Sequence, residues 1–357
     1  QAQGKREGAE RRKWKAMSSS WDDYEVIKQL AKGGQGTTSC VKKKSSGLKF
    51  VLKQTQCESV RIGNVALQEA KTLQGLSHHS VVQYFDVFLH SGNGYLIVCT
   101  IMELCNRGDL ANYLFDKRRR QSPLTEQVVR SWLSQLSDAL AYLHANKILH
   151  RDLKPHNVFL TSEGILKIGD FGLSATLENG KRTSHVGTPC YLAPEVMNHE
   201  AYGEAVDMWG AGCIGYEMVT LQFLWEKKGL LAASVKTAPL KAEDLPERFS
   251  PAIRECIVSC LQFTPGRRPR AAALLSSVRA SKRGGSDDAS ALAKALEGFV
   301  GSDALNGVVD SMRKQFESFS GLLFGANAEP QIERPAAMSA LRPIVPATEK
   351  TSDLLGH

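Results

Sequence analysis

The octapeptide "HRDLKPHN", His150 to Asn157, sets a carboxylate, an ammonium and an amide (Asp152, Lys154 and Asn157) within six residues. A carboxylate accepts or orients a proton, an ammonium neutralises anionic charge, and an amide oxygen ligates a hard cation. Eighteen residues after Asp152 stands a second carboxylate, Asp170 of "DFG", and "APE" begins twenty-three residues later at Ala193. One such polar residue on a solvated loop is ordinary. A set at fixed spacing is not, because seven matched identities arise by chance on the order of once in 10⁹ starting positions.

Upstream lies "LAKGGQGTTSCV", Leu30 to Val41, with Gly33, Gly34 and Gly36 inside four residues. Such glycines allow positive φ and close backbone approach, as a phosphate-cradling loop needs. A tight turn between strands wants the same residues, so the loop alone leaves both readings open. A G-x-G-x-x-G pattern also places glycine at 31, where this chain has Ala31. "FVLK" ends at Lys53, and Glu69 follows sixteen residues later. Singly, each is an ordinary surface charge.

Together, in order and spacing, these motifs resemble the eukaryotic protein kinases over residues 24–279. "NVFLTSEGILKIGDFGLS", "VGTPCYLAPE" and "MELCNRGDLANYL" are most similar to the NIMA-related Ser/Thr kinases. The resemblance implies an α+β, two-lobed fold, with a small β-rich N-lobe and a larger helical C-lobe. It implies transfer of the ATP γ-phosphate to Ser/Thr hydroxyls of protein substrates, with ATP and Mg2+ as cofactors. On this resemblance Asp152 handles the substrate hydroxyl, Lys154 neutralises the transferred group, and Asn157 and Asp170 hold Mg2+. Lys53 faces the ATP phosphates and pairs with Glu69. Leu30, Gly33, Gly36 and Thr38 cover the nucleotide, Met102 is the gatekeeper, and the backbone of Glu103 and Cys105 meets the adenine edge.

The family pattern fixes further expectations. Gln35 replaces the usual aromatic at the loop tip, and Thr38 replaces valine while keeping the β-branched shape. Thr188 matches the threonine that bonds the catalytic-loop Asp and Lys, and Lys154 likewise points to Ser/Thr specificity. Glu195 pairs with Arg268, and Asp207 holds the catalytic-loop backbone from a buried helix. Gly210, Gly212 and Gly215 in that helix leave room for close packing. A phosphate on Thr183 or Ser184 meets Arg151 beside the catalytic Asp.

Elements of the right kind surround these residues. "YEVIKQL", "TTSCVKK" and "LKFVLKQ" read as an antiparallel meander. Ala66, Ala70, Leu73 and Leu76 fall at helical spacing, and further strands follow near Val81–Leu89 and Tyr95–Met102. After Thr125, a fitting N-cap, Val129, Trp132, Leu133, Leu136, Leu140 and Leu143 share one helical face. Residues 1–23 read as a basic, disordered tail, 24–279 as the kinase domain, and 280–357 as a linker, an amphipathic helix and a disordered tail. The helix at 305–323 either packs back on the main domain or offers its apolar face to a protein partner.

The chain has 357 residues, 42% of them hydrophobic, which suits a globular protein of two or three domains. No apolar run approaches the roughly 18 residues that span a bilayer, and the charged N-terminus is no secretory signal. Eight scattered cysteines without C-x-x-C pairs argue for a reducing compartment and against a disulfide framework or zinc site. Cys256 and Cys260 share a helix face as small buried residues. The implied location is intracellular, cytoplasmic or nuclear, with neither nucleic acid nor membrane as partner. Of the net charge of +8, residues 1–16 contribute six basic against two acidic groups, a solvated excess of four. A start at Gln1 fits a fragment or a processed product, with Met17 an alternative start.

Two other classes compete with an active Ser/Thr kinase. A pseudokinase scaffold draws on the altered glycine loop, but Lys53, Asp152, Asn157 and Asp170 are all intact. A small-molecule phosphotransferase has no need of the long segment that ends in "APE".

Overall fold

The computed structural model describes residues 20–33, 36–57, 59–92, 95–171, 175–176, 191–223 and 239–281. The basic tail up to residue 19, and the linker, the 305–323 helix and the Pro-rich tail from residue 282, lie outside the described residues.

The three β-type runs fold as β1 (Tyr24–Gly33), β2 (Gly36–Lys43) and β3 (Lys49–Cys57), paired antiparallel in succession. With β4 (Tyr84–Gly92) and β5 (Tyr95–Met102) they form a five-stranded sheet in the order β1-β2-β3-β5-β4. β1 and β4 are its two edges, yet Tyr24 and Phe88 stack with ring centroids 6.2 Å apart. The sheet therefore curls until its edges meet. Val41, Phe50, Leu52, Cys99 and Ile101 fill the inside of that curl. Side chains alternate along a strand, so Val51 and Lys53 point to the opposite face from Phe50 and Leu52. That geometry turns Lys53 away from the apolar cluster.

The strand expected to begin at Val81 begins at Tyr84. Val81 and Val82 instead bond across to the helical lobe, with Val82 N–H donating to Ile168 O at 2.8 Å. Helix α1 (Val60–Gln74) crosses behind the sheet, and Ser59 caps it by accepting the Ile62 N–H. Its buried residues include Ala70 and Leu73, as the spacing predicts.

The helical lobe begins with α2 (Leu110–Arg119) and α3 (Glu126–Ala145). Thr125 Oγ1 accepts the Val128 N–H at 3.4 Å, a cap of the kind that contributes about 1 kcal/mol. All six residues of the expected apolar stripe of α3 are buried. Short pairs β6 (Ile148–Leu149) with β9 (Ala175–Thr176), and β7 (Val158–Leu160) with β8 (Leu166–Ile168), follow beneath the sheet. Helices α4 (Pro194–Met197), α5 (Ala205–Thr220), α6 (Pro251–Cys260) and α7 (Ala271–Ala280) complete the described lobe. α5 is buried all round from Val206 to Val219, so its three glycines face neighbours, not water. A Cβ on Gly210 would lie 2.6 Å from Leu153 O, and one on Gly215 would lie 2.9 Å from Ile257 Cγ1. The glycines are close-packing positions. None of the described helices is long and apolar enough to cross a membrane.

Candidate active site

The catalytic-loop candidates converge because one buried carboxylate gathers the backbone before them. Asp207, on α5, accepts the His150 N–H at 3.0 Å and the Arg151 N–H at 2.8 Å, with His144 Nε2 at 2.9 Å. Burial alone pushes this carboxyl up, but the His144 hydrogen bond, the neighbouring imidazoles and the His150 N–H outweigh it and leave it lowered. Arg151 is held at φ +69°, in the left-handed region. His150, fully buried, contacts Gly169 O through Nε2 at 2.9 Å and accepts the Asp152 N–H through Nδ1 at 3.3 Å. One imidazole thus spaces the two loops that carry Asp152 and Asp170.

Around Asp152 the contacts are short and directional. Lys154 Nζ lies 2.6 Å from Asp152 Oδ2. Asn157, in a tight turn from Pro155 to Asn157, donates from Nδ2 to Asp152 O at 2.7 Å and to Asp152 Oδ2 at 3.1 Å. Both amide hydrogens are spent there, which fixes the side-chain oxygen of Asn157 on the other side. The Gly169 N–H donates to Asn157 O at 2.9 Å, tying the Asp170 segment to the same turn.

Asp170 has φ +55° and sits between β8 and the buried Phe171. Lys53 Nζ contacts Asp170 Oδ1 directly. Desolvation in the cleft pushes the Asp170 carboxyl up, but the charge and hydrogen bond of Lys53, with His150 and Lys154, outweigh it and lower it overall. The structure therefore brings five of the expected residues together: Lys53, Asp152, Lys154, Asn157 and Asp170. Glu69 sits half-buried on α1.

The cleft roof follows from register. Ala31 pairs with Thr38, Thr38 with Lys53, and Lys53 with Thr100, which sets these four side by side across β1, β2, β3 and β5. Leu30 falls in the irregularity of β1 between Gln29 and Ala31 and stays 39% exposed. Gly33 pairs with Gly36, and a Cβ on Gly36 would come 1.8 Å from Gln54 O, so only glycine fits there. Gly34 and Gln35 lie outside the described residues, as do Gly172, Thr183, Ser184 and Thr188. Met102 ends β5 buried, opposite Val51. The Glu103 N–H donates to Gln83 O at 2.9 Å, while its carboxylate meets Lys167 Nζ at 3.0 Å. Cys105 is half-buried, and burial pushes its thiol up to about 12.

Three further residues belong to this region without being singled out by the sequence. His144 lies on the buried face of α3, its only sequence signal being a histidine in an apolar stripe. Lys167 reaches the start of the inter-lobe connection through Glu103. Tyr84 packs edge-on to Phe171 at 6.1 Å, and burial beside Asp170 pushes its phenol up. On the far side, Glu195 and Arg268 form the expected buried bidentate pair at 2.6 and 2.8 Å. Arg151, Asp152 and Leu153 face Tyr191, Leu192 and Ala193 across a small cleft.

A curled five-stranded sheet above a helical lobe, with these two loops between them, defines the protein kinase class. The family model for the protein kinase domain matches residues 24–278, and the chain belongs to the protein kinase family. Its relatives are NIMA-related kinases. It is 34% identical over 256 residues to a probable serine/threonine-protein kinase nek3 of Dictyostelium discoideum, covering 70% of this chain and 22% of that one. It is equally 34% identical to serine/threonine-protein kinase Nek3 of Oryza sativa subsp. japonica, over 71% of this chain and 43% of the relative. Serine/threonine-protein kinase Nek4 of Mus musculus is 34% identical over 71% of this chain and 32% of its own length. The chain therefore spans less than half the length of these relatives.

Proposed function

We propose that the chain is an active serine/threonine protein kinase that transfers the γ-phosphate of ATP to Ser or Thr hydroxyls of protein substrates. The observation that carries this reading is the arrangement of Asp152, Lys154 and Asn157 on one turn, with Asp170 and Lys53 beside it. The donor set fits the cofactors. Asp170 offers a carboxylate held in its charged form, and Asn157 offers an amide oxygen whose NH2 is already committed to Asp152. These are the hard oxygen ligands Mg2+ requires. When bound, Mg2+ neutralises charge on the nucleotide phosphates.

The chain's own residues supply positioning and charge. Asp152 orients the substrate hydroxyl and takes its proton, a contribution of about 10²–10⁴ in rate. Lys154, already 2.6 Å from that carboxylate, adds a positive charge where the transferred group passes. Lys53 supplies a second cation on the nucleotide side, steadied by Glu69. Leu30, Gly33, Gly36 and Thr38 close over the nucleotide, and Met102, Glu103 and Cys105 bound the adenine. Cysteine chemistry and family resemblance support an intracellular location.

The test is a kinase assay on generic Ser/Thr protein substrates, run beside Asp152→Asn. Phosphoserine or phosphothreonine formed by the parent and reduced about 10²-fold or more in the variant supports the reading. Equal, low incorporation by both proteins, with nucleotide still bound, overturns it in favour of a nucleotide-binding scaffold.

A further inference from the structure

We propose that His78, His79 and Asp138 form a site for one borderline transition-metal dication of the Zn2+ class, separate from the catalytic cleft. One ligand atom from each residue lies within 4.8 Å of the others, and no other group of three or more His, Cys, Asp or Glu does so among the described residues. His78 Nε2 stands 3.7 Å and His79 Nε2 3.9 Å from the same oxygen, Asp138 Oδ2. Ligand arms of about 2.1 Å in a tetrahedron place neighbouring donor atoms about 3.4 Å apart. Each imidazole nitrogen is therefore within a few tenths of an ångström of ligand spacing from the carboxylate, and the ligand atoms of the two imidazoles lie within 4.8 Å of each other.

The ligands are chemically suited and held in place. Two imidazoles and a carboxylate favour Zn2+ over Mg2+, and three protein ligands leave a fourth position for water. The His78 ring stacks on Tyr142 at 5.0 Å, and the Tyr142 hydroxyl accepts the Ser77 N–H at 2.9 Å, which fixes the ring plane. His79 is exposed and gives the site access to solvent.

Two features oppose binding. Arg279 approaches Asp138 Oδ2 at 3.7 Å, but its side chain is 62% exposed and such a surface pair contributes little. The Ser80 N–H donates to His78 Nδ1 at 3.1 Å, whereas a metal on Nε2 requires the proton on Nδ1. Loading Nε2 with a metal therefore moves the proton to Nδ1 and gives up the bond from the Ser80 N–H, a cost that binding has to exceed. An ion here ties the connection between α1 and β4 to α3.

The test titrates Zn2+ calorimetrically into the full chain, freed of metal by chelator and kept without nucleotide. One equivalent is expected, undisplaced by excess Mg2+, with affinity lowered at least about tenfold in His79→Ala and in Asp138→Ala. Co2+ in place of Zn2+ should show visible ligand-field bands without a thiolate charge-transfer band. His79 is exposed, so His79→Ala keeps the fold, as circular dichroism will confirm. Absence of saturable Zn2+ binding, affinity unchanged in both variants, or a thiolate band that assigns the ion to cysteine each overturns the proposal.

Discussion

Asp207 Oδ1 accepts the backbone N–H of Arg151 at 2.8 Å from a carboxylate with no solvent exposure. A buried charge of this kind is stable only while its donors are in place, so the backbone before Asp152 is as fixed as α5 itself.

Asp207→Asn keeps the shape but turns one donor NH2 toward backbone N–H groups that also donate. A loss of about 3–5 kcal/mol in urea unfolding is expected near neutral pH. Because the folded pKa of Asp207 is lowered, its stabilisation is present above the ordinary carboxylate value and is lost as pH falls through the folded one. The gap between parent and variant should therefore narrow below about pH 4. A gap that widens with acid would contradict the assignment.

Much of this architecture was legible because the signals were local. The alternation of "LKFVLKQ" places Lys53 opposite Leu52, and the stripe from Val129 to Leu143 is the buried face of α3. The non-local parts were not. Val81 to Gln83 read as strand, but their backbone groups bond to Ile168 and Glu103, partners far away in sequence. His144 and Tyr84 carry no motif; only the fold brings them to Asp207 and Phe171. The direct contact between Lys53 and Asp170 likewise joins residues 117 positions apart.

Asp170→Asn tests the metal assignment. The substitution removes the charge that faces Lys53 while keeping its shape, so turnover should fall below detection with circular dichroism unchanged. Residual activity near that of the parent would move Mg2+ to other ligands.

Lys53→Met and Glu69→Gln should act as one unit. If Glu69 serves only to orient Lys53, adding Glu69→Gln to Lys53→Met should cost little further kcat/KM. Independent, additive losses in this double-mutant cycle would separate the two residues.

Arg268→Lys should not be tolerated as a conservative change. The guanidinium binds both Glu195 oxygens, donates further hydrogen bonds to the carbonyls of Gln262, Ala205 and Phe263, and lies 5.1 Å from the Trp209 ring centre. An ammonium cannot reproduce that fork, and breaking a buried pair costs about 3–5 kcal/mol. The Tm should fall by roughly 6 °C or more for a domain of this size. A shift under about 2 °C would mean that the pair is dispensable to the helical lobe.

Gly210 offers the sharpest link between packing and catalysis. Alanine is the better helix former by about 1 kcal/mol, so propensity alone predicts a gain from Gly210→Ala. The added Cβ, however, would sit 2.6 Å from Leu153 O and 2.9 Å from Leu153 Cβ. Leu153 lies between Asp152 and Lys154, and relief of the clash has to displace that backbone. Overpacking of this sort typically costs about 1–3 kcal/mol, and here the displacement should also lower kcat by about tenfold or more with KM for ATP little changed. Gly215→Ala is the matched comparison, since its Cβ would press on the Ile257 side chain and not on the catalytic loop. It should lose stability and keep kcat. Gly266→Ala, with nothing within 4 Å of the added atom, should change neither. If Gly210→Ala and Gly215→Ala keep the same kcat, α5 does not set the position of the catalytic loop.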